Sequence, residues 1–180
     1  MSAIPVFRQA IAADFPVLRE MYNAIIEEMY KCRWHAQWRK DGYPTDDFLY
    51  TAAAKGEMWL AEVDGEIAGA VVLNHVCNPG YEQVEWLVSC PPEKVLGIHT
   101  LGIAPAFQRQ GMASAIVRFS IELARAQGMQ SVRLDVIDNN LPADKLYTQL
   151  GFSFRGRVTL NYEGDVCTEF NLYEYPLSEG

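Results

Sequence analysis

The sequence has few of the features that mark secreted or membrane proteins. Its four cysteines, at positions 32, 77, 90 and 167, include no CxxC pair. Scattered cysteines of this kind are typical of a protein in a reducing compartment. No apolar run approaches the roughly 20 residues that a membrane-spanning helix needs, and the N-terminus lacks the layout of a signal peptide. We therefore expect a cytoplasmic protein that does not bind to membranes.

Positive charge is also scarce. Fifteen Lys and Arg residues stand against 23 Asp and Glu residues, which gives a formal net charge of −8. Because nucleic acids and anionic membranes bind to basic surfaces, neither is an expected partner. The sequence has no Gly-Lys pair for a P-loop and no GxGxxG for a Rossmann dinucleotide site. An acidic surface weakly favours small cationic ligands.

Hydrophobic periodicity predicts a mixed α/β fold. Helices are predicted at Asp14–Tyr30, Pro44–Gly56, Gly111–Gln127 and Pro142–Leu150. Strands are predicted at Pro5–Ala10, Glu57–Val63, Glu66–Val76, Val95–Ile103, Ser131–Ile137, Phe152–Leu160 and Cys167–Tyr175. Between residues 77 and 94 the pattern indicates turns, with a short strand or helix near 84–88 left open. A chain of this length predicts a single domain, and the strand–helix–strand order around the third helix predicts a right-handed parallel crossover.

The segment QRQGMASAIVRF, Gln108–Phe119, places polar residues and a glycine at the start of the third predicted helix. A helix N-terminus presents unpaired N–H groups and a partial positive charge, so it binds anions. Gly111 lets the backbone approach a phosphate that a Cβ would obstruct. Gln108, Arg109 and Gln110 add donors. These residues alone are also compatible with an ordinary helix start that carries an exposed arginine.

The longer segment LGIAPAFQRQGMA resembles the core motif of the GNAT superfamily of acetyl-CoA-dependent N-acetyltransferases, [QR]-x-x-G-x-[GA] after a strand. Gln108, Gly111 and Ala113 occupy its defining positions. Downstream, NLPADKLYTQLGF is similar to the family's N-x-x-A-x-x-L-Y-x-x-x-G-F. The resemblance implies the α/β GNAT fold, a mixed central sheet with splayed parallel strands flanked by helices.

The resemblance also implies where acetyl-CoA binds. N–H groups from Arg109 to Ala113 would hold its pyrophosphate, and a bulged strand near Leu101–Ile103 would pair with the pantetheine arm and polarise the thioester carbonyl. The expected cofactor-binding residues are Leu101, Gly102, Ile103, Gln108, Arg109, Gln110, Gly111, Met112, Ala113, Asn140, Ala143 and Tyr147. No metal is expected, because Cys32, His35, His75 and Cys77 do not match a zinc-binding spacing.

Three residues are candidates for proton transfer. Tyr147 suits the acid, since a phenol with its ordinary pKa of about 10 is protonated at neutral pH and the family places this tyrosine against the coenzyme sulfur. A purely structural role, packing the helix onto the sheet, is the alternative. His99 and Glu85 are the two candidate bases. Ordered water suffices if the amine arrives neutral.

The acceptor is expected to be a primary amine on a small molecule or amino acid. In this fold the connection between the first two helices usually walls the acceptor site, and here it contains Trp34, Trp38 and Tyr43, with Trp86 expected opposite. Aromatic rings hold organic amines by apolar contact or cation–π attraction; packing under a long loop is the alternative. A protein or peptide acetyltransferase and a non-catalytic coenzyme A sensor are the rival functions. The paired C-terminal strands make a homodimer compatible with the sequence.

Overall fold

The computed structural model describes residues 4–33, 35–161 and 167–177. Within these ranges it contains the helices α1 (Phe15–Met29), α2 (Asp46–Ala54), α3 (Met112–Ala126) and α4 (Leu141–Gln149). The strands are β1 (Val6–Gln9), β2 (Met58–Val63), β3 (Glu66–Asn74), β4 (Val95–Ile103), β5 (Ser131–Ile137), β6 (Ser153–Asn161) and β7 (Cys167–Pro176). The predicted order of helices and strands is confirmed, and most boundaries differ by one or two residues.

The strands form a mixed sheet in the hydrogen-bonded order β1-β2-β3-β4-β5-β7-β6. β4 and β5 are parallel, with Val95–Gly97 opposite Ser131–Arg133. The expectation of a parallel crossover through α3 is therefore confirmed in its strand direction. This register stops before either strand ends, as expected of splayed strands. The pairs β1–β2, β2–β3, β5–β7 and β6–β7 are antiparallel.

Two compact units share the chain, and the first comprises Met1–Arg33, Gln37–Leu73 and His99–Val117. Its buried core is formed by apolar side chains of α1, α2, β2 and β3, among them Leu18, Tyr22, Leu49 and Leu60. The buried residues of α1 are Leu18, Met21, Tyr22, Ile25 and Ile26. Thr45 caps α2, since its side-chain oxygen accepts a hydrogen bond from the Phe48 N–H at 3.1 Å.

The second unit comprises Trp34–Ala36, Asn74–Ile98 and Arg118–Gly180. Its buried residues include a cluster of Tyr81, Ile137, Val158, Phe170 and Leu172. The stretch left open at residues 84–88 forms neither strand nor helix; it follows a 3₁₀ turn at Tyr81–Gln83. None of the helices in the described ranges is both long and apolar enough to cross a bilayer.

Candidate active site

The loop between β4 and α3 presents its backbone rather than its side chains. Arg109 and Gly111 have positive φ angles of 61° and 81°. Within the described residues, no backbone N–H group from Arg109 to Ser114 donates a hydrogen bond to the protein. A Cβ built on Gly111 meets no atom within 4 Å. Unpaired donors at a helix start, with open space above the glycine, fit a bound pyrophosphate.

The two glutamines of this loop brace it internally. The Gln108 amide donates to the Ile103 carbonyl at 3.1 Å, and the Gln110 amide donates to the Ala106 carbonyl at 2.8 Å. Each side-chain amide thus uses one of its two N–H donors within the loop, and the expected contact of both glutamines with the phosphates stays a prediction. Arg109 is exposed, and its guanidinium remains the charged side chain of this loop.

The end of β4 lies directly beneath α1. A Cβ on Gly102 would come within 2.9 Å of Ile25 Cδ1 and 3.0 Å of Tyr22 Cε1, so a larger residue there would require these two side chains to shift. Thr100, just before the stretch where the bulge was expected, has a φ of 52°. Regular strand geometry is therefore interrupted at Thr100, one residue before Leu101–Ile103.

Two aromatic residues between α1 and α2, Trp38 and Tyr43, make contacts within the first unit. The Trp38 ring lies 5.7 Å from the Tyr22 ring, and the half-buried Tyr43 shares a hydrogen bond with Thr100 Oγ1. Trp34, the third aromatic residue of this segment, falls outside the described residues. Tyr43 is thus brought to the strand that carries Leu101–Ile103, and Trp38 is brought to α1. The contacts of both rings with an acceptor stay a prediction.

His99 precedes Thr100 on β4 and is half-buried. It belongs to the same unit as Leu101–Ile103 and the phosphate-binding loop. Its proposed role as a base stays a prediction.

Tyr147 is buried in the second unit, where aromatic rings fix its orientation. The Phe152 ring packs edge-on against it at 5.5 Å, and the Tyr173 ring lies 6.5 Å away. Burial raises the pKa of Tyr147 well above its ordinary value, and the nearby Asp135 carboxylate raises it further. Among the described residues the hydroxyl makes no hydrogen bond. Tyr147 therefore keeps its proton at neutral pH and has a donor to offer.

Asp135 lies on β5 and was missed by sequence reasoning. Its Oδ2 accepts hydrogen bonds from the Tyr81 hydroxyl at 2.6 Å and from Asn78 Nδ2 at 2.8 Å. The Tyr81 ring lies 5.4 Å from the Trp86 ring. Trp86 is thereby linked to Tyr147 within one unit through Tyr81 and Asp135. A carboxylate among apolar strand residues was the sequence signal that could have pointed to it.

The stretch carrying Glu85 and Trp86 is held by a buried ion pair. Arg133 Nε donates to Glu174 Oε1 at 3.1 Å, with 8% and 0% of the two side chains exposed. The Arg133 guanidinium also covers the Trp86 ring at 4.3 Å and donates to the Val88 carbonyl at 2.7 Å. Glu174 accepts from the Leu87 N–H. Sequence reasoning missed this pair, although charged residues inside apolar strands are rarely unpaired.

Glu85 itself is exposed. Its backbone carbonyl accepts two hydrogen bonds from Arg155, at 3.0 and 2.7 Å. Its side chain is therefore free of the core while its backbone is fixed. Arg133 covers the Trp86 ring, and the Trp86 indole N–H donates to the Tyr81 carbonyl at 2.9 Å. The acceptor contact of Trp86 stays a prediction.

Asn140 and Ala143 stand at the start of α4. Asn140 is the N-cap residue, and its carbonyl accepts the Ala143 N–H at 3.0 Å. Its side chain makes no capping hydrogen bond. Both residues share the unit of Tyr147, four residues beyond Ala143 on the same helix.

Cys77 and Cys90 do not provide an activated nucleophile. Burial raises the pKa of the Cys77 and Cys90 thiols, so both are protonated at neutral pH. No group of three or more His, Cys, Asp or Glu residues in the described ranges is arranged to hold a metal ion.

A model of the acetyltransferase (GNAT) family matches residues 20–152. The chain belongs to the GNAT family. Both motifs, Gln108–Ala113 and Asn140–Phe152, lie inside the matched range. The protein is accordingly an N-acetyltransferase of this family, an acyltransferase with acetyl-CoA as the donor.

Individual relatives of known name share between a fifth and a third of their aligned residues with this chain. A streptothricin acetyltransferase of Escherichia coli is 23% identical over 164 residues, 88% of this chain and 83% of the relative. Human N-acetyltransferase 8B is 32% identical over 124 residues, 67% of this chain and 50% of the relative. The acetyltransferase chain thus spans most of the bacterial relative and about half of the human one.

Solved structures share the fold. A GNAT acetyltransferase from Streptococcus agalactiae superposes with a TM-score of 0.80 at 19% identity, covering 97% of this chain and 96% of the other. An acetyltransferase from Salmonella typhimurium, solved with acetyl-CoA, gives 0.68 at 17% identity over 98% and 95% of the two chains. At these identities the likeness concerns the fold.

Proposed function

We propose that this acetyltransferase transfers the acetyl group of acetyl-CoA directly to a primary amine of a small molecule or amino acid. No acyl-enzyme is expected, because burial raises the pKa of the Cys77 and Cys90 thiols and keeps both protonated at neutral pH. Acetyl-CoA supplies the reactive acyl thioester. The protein binds and orients acetyl-CoA and transfers protons at the amine and at the sulfur.

The donor is proposed to lie along two stretches of the first unit. Backbone N–H groups from Arg109 to Ser114 take its pyrophosphate, and Arg109 adds a positive charge. The backbone of Leu101–Ile103 pairs with the pantetheine arm and polarises the thioester carbonyl. The unpaired amides at the start of α3 and the open space above Gly111 support this assignment. Asn140 and Ala143 complete the expected contacts from α4.

Transfer requires one proton to leave the amine and one to reach the sulfur. Tyr147 Oη is proposed to give its proton to the sulfur as the carbon–sulfur bond breaks, and its raised pKa keeps that proton in place. His99, or Glu85 from the exposed stretch, is proposed to take the amine proton through water. The new amide bond and the free thiol then balance the reaction.

The observation that carries the small-amine proposal is the contact of the acceptor segment with the donor strand. Tyr43 hydrogen-bonds Thr100 beside Leu101, and Trp38 packs on Tyr22. An amine bound by these rings, with Trp34 and Trp86 as further proposed contacts, arrives at the stretch that polarises the thioester. The E. coli relative is named for streptothricin and not for a protein.

The test is a panel of acceptors with a free-thiol readout. Acetyl-CoA is incubated with the protein and with small amines, amino acids, or peptides that carry a free N-terminus or a lysine. We expect thiol release with members of the first two groups. Release with peptides alone would reassign the protein to peptide acetylation. Binding of acetyl-CoA without release from any acceptor would indicate a coenzyme A sensor.

We further propose that the protein works in the cytoplasm as a single domain and pairs as a homodimer. The scattered reduced thiols and the β6–β7 pair support these assignments. Light scattering at micromolar concentration measures the assembly, and a monomer would refute the dimer.

A further inference from the structure

Thr100 has a backbone conformation that its side chain disfavours. Its φ is 52°, in the left-handed region, and β-branched residues there are genuine outliers. The residue is also buried, with 8% of its surface exposed. Such a conformation persists only where surrounding contacts hold it.

Two tyrosine hydroxyls supply those contacts. Tyr22, on α1, donates to the Thr100 carbonyl at 2.6 Å. Tyr43, between α1 and α2, shares a hydrogen bond with Thr100 Oγ1. One residue of β4 is therefore held at its backbone and at its side chain by two different parts of the first unit. We refer to these two contacts as the tyrosine lock.

Both tyrosines are themselves fixed. Tyr22 is fully buried, and burial raises its pKa far above its ordinary value, so it remains a donor. Tyr43 is held through its backbone, because its carbonyl accepts the Arg39 N–H at 3.0 Å. Arg19 of α1 donates to the carbonyl of the next residue, Pro44, at 2.8 Å. The tyrosine lock thus fixes Thr100 of β4 relative to α1 and to the segment that contains Tyr43.

The consequence falls on the residues that follow Thr100. Leu101–Ile103 continue from its backbone, and Gly102 lies against Tyr22 and Ile25 with no room for a Cβ. A change in Thr100 φ swings the peptide groups of this stretch. The N–H and C=O groups of Leu101–Ile103 therefore depend on the lock for their direction.

We propose that Tyr22 and Tyr43 are positioning residues that aim the Leu101–Ile103 backbone at the pantetheine arm and thioester of the donor. This inference rests on the proposed binding of acetyl-CoA along that stretch. Neither tyrosine touches the donor in this account; each acts through Thr100. Tyr43 also ties the donor strand to the segment proposed to bind the acceptor.

The test compares two ligands by calorimetry. Acetyl-CoA engages both the phosphate loop and Leu101–Ile103, whereas adenosine 3′,5′-bisphosphate has nucleotide phosphates but no pantetheine arm. Tyr43→Phe and Thr100→Val each remove the same hydrogen bond, from opposite ends. Tyr50→Phe is the matched control, since Tyr50 is an exposed tyrosine of α2 in the same unit.

We expect Tyr43→Phe and Thr100→Val each to weaken acetyl-CoA binding about fivefold, the effect of one hydrogen bond. Binding of adenosine 3′,5′-bisphosphate should stay unchanged, and Tyr50→Phe should match the wild type for both ligands. The double variant should be no weaker than either single variant, because the bond is lost only once. Tyr22→Phe should show the same split between the two ligands.

Three results would overturn the inference. They are unchanged acetyl-CoA binding in Tyr43→Phe, an equal loss for both ligands, and multiplied losses in the double variant. An equal loss would indicate a structural role alone. Failure of the wild type to bind acetyl-CoA would instead refute the proposed function, so the two failures are distinguishable.

Discussion

Replacement of Gly111 by glutamate is expected to abolish acetyl-CoA binding. A second glycine-to-glutamate variant distinguishes this loss of binding from a loss of stability. Gly111 has a φ of 81°, and a Cβ there meets open space. Gly65, in the β2–β3 turn, has a φ of 83° and equally open space. Gly65→Glu is therefore a control with the same backbone strain in a turn that is not part of the β4–α3 loop.

The two variants should lose similar stability. A non-glycine residue in the left-handed region costs about 1–2 kcal/mol. For a chain of this size about 1 kcal/mol lowers the Tm by roughly 2–4 °C. Each variant should therefore melt roughly 2–8 °C below the wild type when no ligand is added.

Acetyl-CoA should separate the two variants. A ligand at 100 times its Kd stabilises the folded state by about 2.7 kcal/mol, which raises the Tm by roughly 5–11 °C. In Gly111→Glu the side chain fills the phosphate space and its carboxylate repels the phosphates. A hundredfold weaker Kd would leave about 0.4 kcal/mol at the same concentration.

The assay is a thermal melt with and without acetyl-CoA. Wild type and Gly65→Glu should show the full ligand-induced shift, and Gly111→Glu should show almost none. A normal shift in Gly111→Glu would mean that the β4–α3 loop does not bind the donor. Loss of the shift in both variants would mean that the effect is not specific to this loop.

Three other changes test separate parts of the account. Tyr147→Phe should lower turnover about 10²–10⁴-fold, the usual value of a positioned acid, with a smaller change in the acetyl-CoA Kd; equal turnover would remove the acid role. Because burial raises the Tyr147 pKa, the protonated form persists as pH rises, so kcat should show no descending limb from this group below about pH 10. A limb near pH 8 that disappears in Tyr147→Phe would contradict this. Glu174→Gln leaves the buried Arg133 without its charge partner and should cost about 3–5 kcal/mol of unfolding free energy, measured by urea titration; a loss under about 1 kcal/mol would show that the pair is dispensable.

Local patterns were sufficient to predict most of the fold. β4 has the predicted bounds, Val95–Ile103, because its run of apolar residues is short and continuous. α3 begins one residue after Gly111, where a positive φ ends the loop. These features depend on neighbours in the chain, and periodicity and turn chemistry report them directly.

Features that depend on distant residues could not be predicted. The stretch 84–88 is shaped by Glu174, which lies 87 residues from Leu87 in the chain. Thr100, which has a positive φ, is hydrogen-bonded to Tyr22 and Tyr43, 78 and 57 residues away. No local pattern carries such contacts. The aromatic density around Trp38 and Tyr43 was visible, but its contact with Thr100 required the fold.

In the candidate site, too, residues in local motifs were predictable and residues held by distant contacts were not. The motif residues Gly111 and Tyr147 were predictable from their sequence context, since each belongs to a short motif of fixed spacing. Asp135 was not, because its partners Tyr81 and Asn78 come from another part of the chain. The hydrogen bonds of the Gln108 and Gln110 amides to carbonyls within the loop were not predicted, and their expected phosphate contacts stay a prediction. A side chain long enough to reach a ligand also reaches its own backbone.

The central claim is that backbone amides at the start of α3 hold the pyrophosphate of acetyl-CoA. Hydrogen–deuterium exchange at Arg109–Ser114 tests it most directly, with acetyl-CoA and, separately, S-acetylpantetheine, which lacks the pyrophosphate. The account predicts that these amides gain protection with acetyl-CoA and gain none with S-acetylpantetheine. Equal exchange at Arg109–Ser114 with and without saturating acetyl-CoA would contradict it.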